Sequence, residues 1–326
     1  MNVHDLKLRE LKNKNICVIG DMIVDHSRIL NPKKLSPEAP VVIFEEEFEE
    51  YRAGGAGNVA VNLMALGVNT SLVSVCGNDG ILDFVRDQLP TNTVILKESG
   101  RITTVKERII TRRQQICRID SQSNAPINKS IKDFIECARL KIVNSDAIVF
   151  SDYAHGVCVE EAIVNLIEFA TSKKIPIIVD SKAKDTLTKY RGSTVALPNM
   201  DEARLMTKLD DFEDEDVAKF LLKTMKLKIA AITLGPRGIL LAQESGTKIY
   251  PPLHPNINNE VIDVTGAGDT VAATVACGIA LGMSYGQIMT LANVTAGIKV
   301  QKRGVAAVMP DEITETMMLH HIDLGE

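Results

Sequence analysis

The sequence predicts an α/β fold with a central, mainly parallel sheet flanked by helices, because short β-prone apolar runs alternate along it with helical stretches. The runs are apolar throughout rather than alternating, which suits strands covered on both faces. A chain of 326 residues, 45% hydrophobic and 24% charged, can bury the core that such a sheet requires.

Taken in order, the strands are NICVIGD (15–21), TSLVSVCG (70–77), DAIVFSD (146–152), IPIIVDS (175–181), TVALPN (194–199) and KIAAITLG (228–235). Helices are expected over 56–66, 130–143, 159–172, 200–207, 214–226 and 269–282. Two segments break the rhythm. PVVIFEEEFEEYRA (40–53) and ITTVKERIITRRQQICRID (102–120) are extended but too polar for central strands. They suit a small sheet with one exposed face, acting as a lid over a site or as a dimer contact. No repeat, low-complexity tract or linker divides the chain, so a single domain over 1–326 with a small β appendage is expected.

Composition narrows the partners. The 37 basic and 42 acidic residues are intermixed, giving a formal net charge of -5 and no basic stripe for nucleic-acid phosphates. Cys17, Cys76, Cys117, Cys137, Cys158 and Cys277 are widely spaced, with no pair or Cys/His cluster at zinc spacing, as in a reducing compartment. The charged start MNVHDLKLRELKNKN lacks a signal-peptide core, and no apolar run has the length of a membrane span. A cytoplasmic protein with neither nucleic-acid nor membrane partners is expected.

Two glycine sites carry the chemistry. Gly55-Ala56-Gly57-Asn58-Val59-Ala60 matches GxGxxA, with Asp79 placed as a ribose acid would be, but it follows FEEEFEEYR rather than a buried strand. A glycine turn with close helix packing is the plainer alternative. In a third reading, Gly54, Gly55 and Asn58 join Asp21 and Asp25 of GDMIVD to hydrogen-bond the hydroxyls of a sugar, although either acid also suits a turn cap. The second site is VIDVTGAGDTVAATVA (261–276), where a strand leads through Thr265-Gly266-Ala267-Gly268 into a helix starting at Asp269 or Thr270. Amides at a helix N-terminus bind anions and stabilise a transferring phosphoryl group, and Asp269 stands where it can take a hydroxyl proton. A simple N-cap role for Asp269 remains open.

GGAGNVAVNLMALG and DVTGAGDTVAA together resemble the two signature regions of the ribokinase-like, or PfkB, carbohydrate kinases, in the right order and over nearly the whole chain. LSPEAPVVIF (35–44), RRQQICRID (112–120), FSDYAHG (150–156), VDSKAKD (179–185), YRG (190–192) and LPNMDE (197–202) are similar to the kinases that phosphorylate D-glycero-β-D-manno-heptose 7-phosphate at C1. That resemblance implies a ribokinase-like fold, ATP and Mg²⁺ as cofactors, and K⁺ as a further candidate.

It also implies roles. Asp269 becomes the general base, and the Gly266, Ala267 and Gly268 loop, with the amides of Ala267, Gly268 and Asp269, the anion hole. Asn199 and Glu202 fall near the phosphates and the Mg²⁺ shell, with Glu202 able to act through water or simply as a helix N-terminal acid. Thr233, Gly235 and Gly238 of TLGPRG suit an ATP moiety or a strand-to-strand turn. Lys182, Arg112, Arg113 and Arg118 are candidates for the distal phosphate, although each arginine also suits a solvated charge. The heptose kinases more usually have Asn at Arg113 and Pro at Ser181, which leaves the exact sugar open. His26 and His155 have no partner at ligand spacing and read as structural, and His320-His321 lie in a weakly patterned tail with no chemical role expected.

Some kinases of this kind are fused to a nucleotidyltransferase, and no HxGH motif follows here, so the bisphosphate is expected to pass to a separate nucleotidyltransferase and phosphatase. The alternatives are another PfkB kinase, acting on ribose, a fructose phosphate or a nucleoside, and a non-catalytic nucleotide- or sugar-binding regulator.

Overall fold

In the computed structural model, which describes residues 8–111, 114–182, 186–252 and 261–324, alternate residues of the first strand, β1 (Asn15–Gly20), feed two different cores. Ile16 and Val18 enter one and Cys17 and Ile19 the other, all four fully buried. Alternation between two covered faces is why the strand reads as an unbroken apolar run.

β1 lies inside a nine-stranded sheet. From one edge run β13 (Gly246–Tyr250), β12 (Ile239–Gln243), β11 (Ile229–Thr233), β10 (Val195–Ala196), β9 (Ile177–Ser181) and β8 (Ala147–Asp152), and beyond β1 come β4 (Asn69–Gly77) and β5 (Asn92–Glu98). Pairing is parallel from β11 to β5, while β12 and β13 close the edge as an antiparallel hairpin. Helices α1 (Ala56–Ala65), α7 (Ala267–Ala280), α8 (Tyr285–Lys299) and α9 (Pro310–Leu319) share the core of Ile16. Helices α2 (Ile131–Ile142), α3 (Glu160–Ser172), α5 (Met200–Thr207) and α6 (Asp214–Met225) share the core of Cys17, and the short α4 (Thr186–Lys189) follows β9.

The small sheet expected from 40–53 and 102–120 is present, in the order β3 (Val42–Gly55), β2 (Met22–Leu35), β6 (Thr104–Thr111) and β7 (Gln114–Ser121). β2 is an addition that the sequence did not assign. Its first residues are buried like those of β1 and its last five are exposed, so it leaves the body of the molecule along its length. Pro32 sits at one of its two register shifts against β3, consistent with the missing N–H of proline. The strand expected over 194–199 is cut to two residues, with Pro198 just beyond it. Helix α7 starts two residues earlier than expected, and the β12–β13 hairpin, α8 and α9 were not assigned from the sequence.

The parallel strands aim their C-terminal ends at one place. Asp21 follows β1, Tyr153 follows β8, Lys182 follows β9, and Thr233 ends β11 with Asn199 bridged to it. Ligand crevices of open parallel sheets form at this edge.

Candidate active site

Asp269 lies in the first turn of α7, behind a loop that reverses at Gly266 with φ 77°. A side chain at 266 would be strained, and its Cβ would stand 2.7 Å from Asn58 Nδ2, so glycine is required on both counts. Asn58 needs that room. Its amide donates to Asp269 Oδ2 at 2.6 Å, while the Tyr153 hydroxyl donates to Oδ1 at 2.7 Å. Only 3% of Asp269 is exposed, and burial pushes its carboxyl above the ordinary aspartate range against the two donors and the charge of Lys182. The Ala267 N–H is donated to Val264 O at 3.1 Å, whereas those of Gly268 and Asp269, in the first helical turn, have no intrahelical acceptor. Of the expected anion hole, the latter two amides are the ones free to face an anion.

Tyr153, Gly266, Gly268 and Asp269 border a cavity of about 340 Å³. Gly55, Asp25, Lys106, Arg108 and Arg118 of the small sheet line it, together with Lys182, which follows β9. Asp25 is ion-paired to Arg108, and its Oδ2 would lie 2.2 Å from a Cβ at Gly54, so Gly54 admits the carboxylate rather than lining the cavity. Arg118 is paired with Asp120 at 2.8 Å. Lys182 and Lys106 have no such carboxylate among the described residues. Their ammonium groups lie 4.3 and 5.1 Å from the centre of the Tyr153 ring. Burial and then the charge of Lys182 lower the pKa of Lys106, as two like charges beside one space require. Arg112 and Arg113 fall outside the described residues.

Asp21 takes a different position. It is buried, and its carboxylate accepts N–H bonds from Tyr153 (2.8 Å), His155 (3.2 Å) and Val157 (3.0 Å). Burial and the charge of Asp152 push it up to about 6 against those donors. Asp21 thus shapes the loop that delivers Tyr153. Beneath it, Asp152 is ion-paired with buried Lys189 at 2.7 Å.

On the far side, Asn199 and Glu202 form a capping box at the start of α5, with Glu202 N on Asn199 Oδ1 at 2.8 Å and Asn199 N on Glu202 Oε2 at 2.9 Å. Both line the cavity with Thr233. Gly235 and Gly238 do not line it. They shape the turn between β11 and β12, where a Cβ at Gly238 would meet Tyr250 O at 2.1 Å. Asp180 lines the cavity near Gly268, and burial together with the charge of Asp269 pushes it up to about 7. Among the described residues, no group of three or more His, Cys, Asp or Glu side chains is arranged to hold a metal. Glu202 nonetheless keeps Oε1 outside the capping box, which suits an ion held through water and ligand phosphates.

Tyr153, Asp180, Lys106 and Arg108 were not singled out from the sequence. The first two stand at the ends of buried strands, and the other two share one face of β6 at the two-residue period, which is the signal that could have found them. The GxGxxA match follows β3 of the small sheet rather than a central strand, and Asp79 is bonded to Thr103 N and Oγ1, both at 2.7 Å. That context does not form a dinucleotide site.

Residues 13–312 match the pfkB family carbohydrate kinase. The chain is 37% identical over 314 residues to Bifunctional protein HldE of Trichlorobacter lovleyi, covering 94% of this chain and 63% of that protein. It is also 37% identical over 319 residues to the protein of the same name from Sulfurimonas denitrificans, covering 95% and 65%. It therefore spans less than two thirds of the length of these curated relatives. Among solved structures it is similar in fold to phosphofructokinase-2 from Escherichia coli in complex with potassium, with TM-score 0.76 and 18% identity over 95% of this chain and 100% of that one. Arabidopsis thaliana ribokinase complexed with ribose and ATP is similar at TM-score 0.71 and 18% identity, over 95% and 99%. With its ribokinase-like fold and this family match, the chain belongs to the pfkB carbohydrate kinases, which are ATP-dependent sugar phosphotransferases.

Proposed function

We propose that this kinase phosphorylates C1 of D-glycero-β-D-manno-heptose 7-phosphate, giving the 1,7-bisphosphate. One observation carries the reading: a single cavity is lined by Asp269 and the start of α7 and by two ammonium groups with no carboxylate ion-pair partner among the described residues, Lys106 and Lys182. Unpaired cations flanking a cavity suit an acceptor that carries its own phosphate. The resemblance of SPEAPV and SDYAHG to heptose kinases supports the choice of sugar.

In the reaction, Asp269 takes the proton of the attacking hydroxyl as its oxygen bonds to the γ-phosphorus. The bond from that phosphorus to the β–γ bridging oxygen breaks, and ADP leaves with the electron pair. The Gly268 and Asp269 amides and the N-terminal dipole of α7 offset the charge on the transferring group. Asn58 holds the base in orientation through Oδ2. Asn199 and Glu202 are the residues that would hold magnesium through water, where it would offset the negative charge of the phosphates.

Exposed Phe48, Ile116 and Ile119 on the small sheet support a homodimer formed through that sheet, which would then close over the sugar as a lid. No described helix is long and apolar enough to cross a membrane, and a cytoplasmic setting is proposed. The test is ATP consumption with heptose 7-phosphate, unphosphorylated heptose, ribose, fructose 6-phosphate and a nucleoside. Heptose 7-phosphate is expected to give the highest kcat/KM. Preference for another sugar would move the substrate within the family, and tight binding without any turnover would favour a regulator. A monomer mass in sedimentation would remove the dimer alone.

A further inference from the structure

Asn62 is only 2% exposed, on α1 where that helix packs against α7, although it neither lines the cavity nor bonds to Asp269. A buried amide has two protons and an oxygen to satisfy. An apolar side chain at this helix contact would avoid that cost.

The bonds of Asn62 run in one direction. It follows Asn58 by one helical turn, and its Nδ2 donates to Asn58 O at 2.9 Å and to Asn58 Oδ1 at 3.1 Å. A backbone carbonyl only accepts, so the nitrogen end of the Asn62 amide is the end that must face Asn58. Its oxygen is then turned to Thr270, whose hydroxyl is shared between Asn62 Oδ1 and Gly266 O, both at 3.1 Å.

The same logic passes on to Asn58. With Oδ1 held by Asn62, Nδ2 is the end left for Asp269, and it donates to Oδ2 at 2.6 Å. An Asn58 amide turned by half a revolution would fill the same space but set its carbonyl against a carboxylate. Asn58 and Thr270 are as buried as Asn62, so water does not compete for these bonds.

We propose that Asn62 is a positioning residue that selects the orientation of the Asn58 amide and so keeps an N–H, rather than a carbonyl, against the base. The inference rests on the reading of Asp269 as the base of a phosphoryl transfer, and not on which sugar is the acceptor.

The test compares the wild type with Asn62→Leu, Asn58→Leu and the double variant. Asn62→Leu keeps the size of the side chain and removes its donors. It should lose roughly tenfold in kcat, with little change in KM for ATP or sugar, because the base is misdirected while the pockets stay in place. The bond from Asn58 favours the charged carboxylate against burial, so weakening it raises Asp269 and the acid limb of kcat/KM should move to higher pH. Asn58→Leu should lose at least as much, and adding Asn62→Leu to it should lower kcat no further, since a residue acting through Asn58 has nothing left to act on. A repeated loss in the double variant would overturn the inference. So would a folded Asn62→Leu with wild-type kcat or an unmoved acid limb. Should Asn62→Leu fail to fold, neutron diffraction from deuterium-exchanged wild-type crystals decides. Deuterons of Asn58 on the side of Asp269 and of Asn62 on the side of Asn58 are expected, and the reverse orientation of either amide would overturn the inference. Absence of wild-type turnover on every sugar would contradict the kinase reading instead, and the neutron map would still decide the orientation.

Discussion

The Tyr153 hydroxyl donates to Oδ1 of Asp269 at 2.7 Å, so the oxygen not held by Asn58 is also occupied before any sugar arrives. Oδ1 has a second lone pair, so in the proposed reaction an acceptor hydroxyl would reach Asp269 beside that phenol or in its place. Tyr153→Phe removes a donor that favours the carboxylate, which raises the pKa of Asp269 further. A base works only when deprotonated, so the acid limb of the kcat/KM profile should move to higher pH in this variant. An unmoved limb would separate Tyr153 from the base.

Gly266→Ala should lower stability by about 1–3 kcal/mol, because φ 77° strains any side chain. The larger loss should be in kcat. Its Cβ would stand 2.7 Å from Asn58 Nδ2 and push that amide off Asp269. Melting temperature and turnover together test this, and a stable variant with unchanged kcat would contradict the positioning role of Asn58.

Lys106→Ala and Lys182→Ala should each raise KM for a phosphorylated sugar by roughly tenfold or more, from the approximate 1.5–3 kcal/mol of a charged hydrogen bond. KM for ATP and use of the unphosphorylated sugar should change far less. Equal losses on both sugars for Lys182→Ala would place that ammonium at the transferring phosphate, next to Asp269, leaving Lys106 and Arg118 for the distal one.

Lys189→Met should cost about 3–5 kcal/mol, because it leaves buried Asp152 without its ion-pair partner at 2.7 Å. Denaturant unfolding reads this directly. The exposed Arg86–Asp83 pair gives the contrast, and Arg86→Ala should hardly move the midpoint.

The central strands were legible because both faces are covered, leaving continuous apolar runs such as ICVIG and AIVF. The small sheet was legible for the opposite reason, its acidic and basic polarity. β2 was not, since its start reads as an extension of β1 and its exposed end carries Pro32 and two lysines. At the site, Asp269 and its glycines were visible because loop and helix start are local in sequence. Asn58 was noticed in the first glycine motif as a sugar contact. Its bond to Asp269 spans 211 residues and that of Tyr153 spans 116, and only the folded sheet brings them together.

The central claim is that Asp269 is the base of a phosphoryl transfer. Its most direct test is kcat of Asp269→Asn, measured alongside ATP affinity. The substitution keeps the helix start and its amides while removing the proton acceptor, so kcat should fall by at least about 10²-fold with ATP binding little changed. Near-wild-type kcat in a folded Asp269→Asn protein would contradict the account and reduce Asp269 to a residue of the helix start.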